Sequence, residues 1–62
     1  MNASDLLNSG SKILKKNKIE THQLDSELVL SSLLKKQREY LLINLNEEVS
    51  KNTINNFEKL IF

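Results

Sequence analysis

The apolar residues of this chain recur at three- and four-residue spacing, which predicts helices. The first such segment predicts a helix from about Ser4 to Lys16, with Ser4 as its N-cap. Its apolar and small residues share one face: Ala3, Leu6, Leu7, Gly10, Ile13 and Leu14. Gly10 costs about 1 kcal/mol of helix propensity relative to alanine, so we expect another helix to approach it closely. Ile19 is predicted to bring the following linker back toward the core.

The second segment predicts a helix from about Thr21 to Lys35, with Thr21 as its N-cap. At about 100° per residue, its apolar side chains cover most of the circumference. These side chains are Leu24, Leu28, Val29, Leu30, Leu33 and Leu34. The positions between them hold small serines, namely Ser26, Ser31 and Ser32. The pattern is typical of the central helix of a bundle, and we expect other helices to surround it.

A short third helix is predicted from Gln37 to Leu42. In the turn that follows, we expect Ile43 and Leu45 to fill the core. The chain has no proline and a single glycine, which leaves little room for β-hairpins.

The last helix is predicted to begin at Ser50, with Val49 as a hydrophobic staple, and a start at Asn46 is the alternative. Its apolar face consists of Ile54, Phe57, Leu60 and Ile61. Together the segments predict an all-α bundle of four short helices, or five if the first is split at Gly10.

Length and composition indicate one small domain without covalent or metal cross-links. With 62 residues, the chain is near the lower limit for a domain that folds without such support. It contains no cysteine, and one histidine, His22, does not form a zinc site by itself. Nine basic residues against eight acidic ones give a net charge of +1, which argues against a dedicated nucleic-acid binder.

Neither a membrane span nor a signal peptide is predicted. The longest apolar run, Tyr40 to Ile43, is far shorter than the roughly 20 residues that cross a bilayer. Asp5 and Asn8 interrupt the apolar core that a signal peptide requires. We therefore expect a cytoplasmic protein. We also expect a monomer, with a homodimer that shares Phe62 and the leucine-rich helix as the alternative.

No set of residues predicts catalysis. His22 has no nucleophile or base fixed beside it, so we expect it to be exposed near the start of helix two. Asp25 and Glu27 are two residues apart and point to different sides of a helix, so they do not form a carboxylate pair. We expect Asp25 to form a local hydrogen bond, and Glu47 and Glu48 to lie in a solvated turn.

Two groups of basic residues are candidates for binding a partner. Lys35, Lys36 and Arg38 lie at the junction of helices two and three, and a second group contains Lys12, Lys15, Lys16 and Lys18. Either group can contact phosphate or an acidic protein surface, although a solvated face is the commoner role for such residues. If a partner binds, we predict the group Lys35, Lys36 and Arg38. A helix-turn-helix would use Gln37 to Leu42 for recognition, but that helix is short and ends in apolar residues.

The central segment resembles a known domain. Its motifs are Leu24-Asp25-Ser26-Glu27-Leu28-Val29-Leu30, Leu33-Leu34 and Arg38-Glu39-Tyr40-Leu41-Leu42. They are similar to the N-terminal domain of HemK/PrmC-type peptide chain release factor glutamine methyltransferases, whose pattern is approximately Leu-Asp-Ala-Glu-Leu-Leu-Leu, then Val-Leu-Gly, then Arg followed by Leu. Lys35-Lys36 stands where that family usually has glycine, so we expect a less sharp turn there.

The resemblance implies a role in substrate recognition. Full-length members use S-adenosylmethionine to methylate the glutamine of the Gly-Gly-Gln motif in class 1 release factors, and their N-terminal domain helps to hold the release factor. We therefore expect residues 1–62 to be one substrate-docking domain with no catalytic, cofactor-binding or metal-binding residues. We expect the S-adenosylmethionine-dependent catalytic domain to lie beyond Phe62 in a longer protein. The alternative is a stand-alone helical protein-interaction or DNA-binding module.

Overall fold

The computed structural model describes residues 1–61 and contains four helices. They are α1 (Ala3–Lys16), α2 (His22–Leu34), α3 (Arg38–Ile43) and α4 (Lys51–Ile61). The predicted all-α bundle is confirmed, and α1 continues through Gly10 without a split. No helix within residues 1–61 has the length and apolar character needed to cross a membrane. Phe62, which the alternative of a homodimer would share between chains, lies outside the described residues.

Helix α2 is central, but it is not surrounded. It packs against α1, α3 and α4. Leu24 and Leu28, however, are 40% and 48% exposed, so the expectation that the leucines of this helix all lie inside is wrong. The buried residues of α2 are Ser26, Glu27, Leu30 and Ser31. The neighbouring helices cover one side of α2, and that side carries two of its serines together with Glu27 and Leu30.

Three helices approach one another closely at Gly10. A Cβ atom placed there would lie 2.6 Å from Cζ of Phe57 and 2.8 Å from Oγ of Ser26. The Ser26 hydroxyl is buried and donates a hydrogen bond of 2.9 Å to the Leu7 carbonyl of α1. The predicted close approach is therefore confirmed, and α1, α2 and α4 all meet at this point. The buried apolar residues of the core are Ala3, Leu6, Leu7, Leu30, Leu41 and Phe57.

The first turn of α1 is held by the loop between α3 and α4. The predicted N-cap, Ser4, is wrong, because Asn2 caps the helix and its side chain accepts the Asp5 N–H at 2.8 Å. The Ser4 N–H instead donates to the Leu45 carbonyl at 2.9 Å, and the N–H before it donates to the Glu47 carbonyl at 3.0 Å. These bonds satisfy donors that a helix N-terminus otherwise leaves unpaired.

Helix α3 ends one residue later than predicted and turns Ile43 outward. Leu41 is buried, but Ile43 is 82% exposed, so the predicted core position of Ile43 is wrong. Two residues along a helix correspond to a rotation of about 200°, which places Ile43 opposite Leu41. Leu45, the other residue predicted to fill the core here, is partly buried and packs against it.

Helix α4 begins where the sequence predicts. Ser50 precedes it, and the Ser50 hydroxyl oxygen accepts the Thr53 N–H at 3.2 Å as an N-cap. Phe57 is fully buried, whereas Leu60, predicted on the same face, is 65% exposed. Val49 packs against the core just before the helix.

Helices α1 and α2 each end at a lysine in the left-handed conformation. Lys18 has φ 65° and Lys35 has φ 56°. After each lysine, the next N–H bonds to the carbonyl five residues earlier, at 3.1 Å after α1 and 3.0 Å after α2. This is the Schellman motif, which usually places glycine at the left-handed position. The less sharp turn expected at Lys35-Lys36 is therefore not found, because Lys35 adopts the conformation of glycine.

We predict that Lys35→Gly stabilises the domain. Glycine removes the steric cost of a side chain in the left-handed conformation, which is about 1–2 kcal/mol. Its greater conformational freedom in the unfolded chain offsets about 0.4–1 kcal/mol of this gain. Urea unfolding followed by circular dichroism measures the change. The control is Lys36→Gly, which should destabilise because Lys36 lies outside the positive-φ residues. Equal effects of the two glycines would contradict the prediction.

We predict that Gly10→Ala destabilises the domain even though alanine favours helices. Overpacking costs about 1–3 kcal/mol, against about 1 kcal/mol gained in helix propensity. The Phe57 ring and the Ser26 hydroxyl are both buried, so neither can move away freely. Thermal unfolding should show a lower midpoint for Gly10→Ala and an equal or higher one for Asn8→Ala, at an exposed position of the same helix. A Gly10→Ala variant as stable as Asn8→Ala would refute the close approach.

Candidate functional site

The three predicted partner-binding residues lie at the junction of α2 and α3, but they do not form one cluster. Lys35 is exposed at the left-handed turn. The Lys36 Nζ atom lies 5.1 Å from the centroid of the Tyr40 ring, a distance at which a cation is attracted to an aromatic face. Arg38, the first residue of α3, turns instead toward Glu27 of α2. The structure thus gives Lys36 and Arg38 different neighbours.

Glu27 and Arg38 form an ion pair that joins α2 to α3. The Arg38 Nε–H donates to Oε1 of Glu27 at 2.7 Å, and Gln23 donates to the other carboxylate oxygen at 3.4 Å. The Glu27 side chain is 7% exposed and that of Arg38 is 42% exposed. Because the carboxylate is buried, its position depends on these two donors.

The sequence correctly predicted that Asp25 and Glu27 do not form a carboxylate pair, but it did not predict that Arg38 pairs with Glu27. Helical spacing could have indicated that Glu27 is buried, because Glu27 lies three residues before Leu30 and therefore on the same side of the helix. Spacing alone did not identify Arg38, eleven residues later and in another helix. Asp25 accepts a hydrogen bond of 3.1 Å from the Thr21 hydroxyl, so its predicted local role is confirmed.

His22 is half-buried, so the predicted exposed position is wrong. Its Nδ1 atom lies 2.6 Å from the Ser11 hydroxyl of α1. The bond links the start of α2 to the middle of α1, which explains why the imidazole is drawn partly inside. Among residues 1–61, no group of three or more His, Asp or Glu side chains is arranged to hold a metal ion.

Tyr40 links α3 to the loop before α4. Its hydroxyl donates to the Glu47 carboxylate at 3.1 Å, and this hydrogen bond together with the carboxylate charge raises the pKa of Tyr40 above its ordinary value of 10.0. Glu47 is exposed as predicted, but its carboxylate and its carbonyl both have partners. Beside Tyr40 lies a hollow of about 110 Å³, whose lining includes Lys36, Leu41 and Glu48.

The fold and this junction define a small all-α domain whose lysines lie at its surface and whose buried carboxylate, Glu27, is paired with Arg38. The sequence profile of the PrmC N-terminal domain matches residues 5–62, so the chain belongs to that family. The family assignment that the motifs suggested is therefore confirmed.

Two curated relatives carry a matching segment. The chain is 38% identical over 56 residues to a bifunctional methyltransferase of Rickettsia conorii, and 39% identical over 56 residues to one of Rickettsia felis. Each match covers 90% of this chain but 11% of the relative, so the chain spans about a tenth of the length of these relatives. No solved structure matches the chain.

We predict that Glu47→Gln lowers the pKa of Tyr40 toward 10.0, because the substitution removes the negative charge that opposes phenolate formation. Tyr40 is the one tyrosine, so an ultraviolet absorbance titration reports it directly. Because the pKa of Tyr40 is raised in the folded state, the hydrogen bond from Tyr40 to Glu47 contributes to stability below pH 10. That contribution is lost as the pH rises through the folded-state pKa of Tyr40. The matched control is Glu48→Gln, whose carboxylate pairs with the N-terminal amine at 3.3 Å and which should leave the Tyr40 titration unchanged.

Proposed function

We propose that this domain is the substrate-recognition part of a protein-glutamine methyltransferase that acts on class 1 peptide chain release factors. The observation that carries the proposal is the match of residues 5–62 to the PrmC N-terminal domain, with relatives named as methyltransferases. In this proposal the domain acts as a monomer in the cytoplasm. It holds the release factor while another part of a longer protein transfers the methyl group.

S-adenosylmethionine supplies the methyl group in that reaction, but the site described here does not fit it. The hollow beside Tyr40 measures about 110 Å³. Sites for ligands of this class measure about 300–1,000 Å³. The hollow beside Tyr40 is therefore too small for this cofactor, and in our proposal the domain binds and orients the protein substrate while residues elsewhere transfer the methyl group.

The basic junction supports an acidic protein surface as the partner. Lys35 and Lys36 are exposed and form no ion pair within residues 1–61, whereas the charge of Arg38 is paired with Glu27. Such a surface attracts negative groups and orients them during association. A DNA-binding role has weaker support, because α3 has six residues and places Leu41 in the core.

The proposal is tested by titrating the isotopically labelled chain with a purified class 1 release factor, followed by NMR and calorimetry. We predict that the charge reversal Lys35→Glu with Lys36→Glu weakens binding about tenfold, because like charges would then face an acidic surface. The matched control is Lys12→Glu with Lys15→Glu on α1, which changes net charge equally and should have a much smaller effect.

Each outcome of this titration decides a separate point. A release factor that does not bind the native chain would overturn the proposed function, as would S-adenosylmethionine binding to the chain with micromolar affinity. Equal losses in both charge-reversed variants would show that net charge, and not the junction, governs binding. Salt-dependent retention on duplex DNA without release-factor binding would favour the nucleic-acid alternative.

A further inference from the structure

Exposed leucines lie on both helices that the Glu27–Arg38 ion pair joins. On α2, Leu24 is three residues before Glu27 and shares its side of the helix, whereas Leu28, one residue after Glu27, lies about 100° further around the axis. On α3, Leu42 is one turn after Arg38 and is 40% exposed. The ion pair thus brings together two helices that each carry exposed leucines. We call Leu24, Leu28, Arg38 and Leu42 the α2–α3 face.

The guanidinium of Arg38 is oriented before any partner arrives. Its Nε–H is committed to Glu27, whose other oxygen accepts from Gln23. Within residues 1–61 the two Nη groups have no hydrogen-bond partner, and the side chain is 42% exposed. A guanidinium held in this way presents its remaining donors in a fixed plane, which matches the geometry of a carboxylate.

We propose that the α2–α3 face binds a segment of the partner protein that carries a carboxylate between apolar side chains. Arg38 receives the carboxylate, and Leu28 and Leu42 pack against the apolar neighbours. The charge of Arg38 is paired with Glu27, so the exposed Lys35 and Lys36 beside the face supply the positive charge that complements an acidic segment. The inference rests on the proposed function, since it takes the release factor as that partner.

The exposed leucines of the α2–α3 face favour a protein segment over a nucleic-acid phosphate backbone as its ligand. A phosphate would pair with Arg38 and the neighbouring lysines but would gain nothing from Leu28 or Leu42. An arginine surrounded by apolar side chains that exclude water is the arrangement found at energetically dominant positions of protein interfaces. Binding should therefore depend on the leucines as well as on the guanidinium.

The test measures the affinity of a purified class 1 release factor for four variants of the whole chain by calorimetry. Leu28→Ser and Leu42→Ser remove exposed apolar contacts without opening the core, and each should weaken binding about tenfold. Glu27→Gln with Arg38→Gln removes the guanidinium without leaving a buried charge unpaired, and it should weaken binding to a similar extent. The control is Leu60→Ser, which changes a leucine that is 65% exposed on α4 and should leave the affinity unchanged.

The outcomes separate this inference from the proposed function. If the native chain binds the release factor and the three variants of the α2–α3 face bind it as tightly as the native chain, the proposed role of this face is refuted and the proposed function stands. If the release factor does not bind the native chain, the proposed function fails and this inference fails with it. A loss as large in Leu60→Ser would also refute the face, because it would indicate general apolar adhesion. NMR spectra confirm that each variant is folded, and the two serine variants decide the question if the glutamine pair does not fold.

Discussion

The close approach of three helices at Gly10 sets the packing of the whole domain. Because Gly10 has no side chain, the Phe57 ring of α4 and the Ser26 hydroxyl of α2 fit directly against α1. The hydrogen bond from Ser26 to the Leu7 carbonyl then fixes the rotation of α2 about its own axis. With a serine-lined side of α2 turned toward α1, Leu24 and Leu28 are left facing solvent.

The rotation of α2 also creates the surface to which we assign a partner. It buries Glu27, and a buried carboxylate needs a donor. Arg38 supplies that donor from α3 and so places the short helix beside the exposed leucines of α2. The residue pair that joins α2 to α3 therefore also orients a half-exposed guanidinium at the surface. This coupling explains how a domain of 62 residues can present an ordered binding surface on short helices.

The chain belongs to the PrmC N-terminal domain family, so the proposed function of this surface is considered within that family. The relatives carry the domain as about a tenth of a longer methyltransferase. In our proposal, the domain increases the time that a protein substrate spends near a catalytic site, since linked binding raises the effective concentration. In our proposal the domain contributes such binding energy, and the chemistry belongs to residues elsewhere.

The sequence by itself determined four helices and the cap at Ser50, because each depends on residues close together in the chain. Its motifs identified the family, and a glycine within the apolar face of α1 indicated a close approach without identifying Phe57 and Ser26 as the neighbours. Tertiary structure decided which leucines of α2 are exposed, since apolar residues around most of a helix do not identify one inner side. The cap at Asn2 is local, since Asn2 and Asp5 form a capping box within one turn, but the bond from the Ser4 N–H to the Leu45 carbonyl, more than forty residues away, exists only in the folded chain. The Glu27–Arg38 pair likewise exists only once packing brings two helices together.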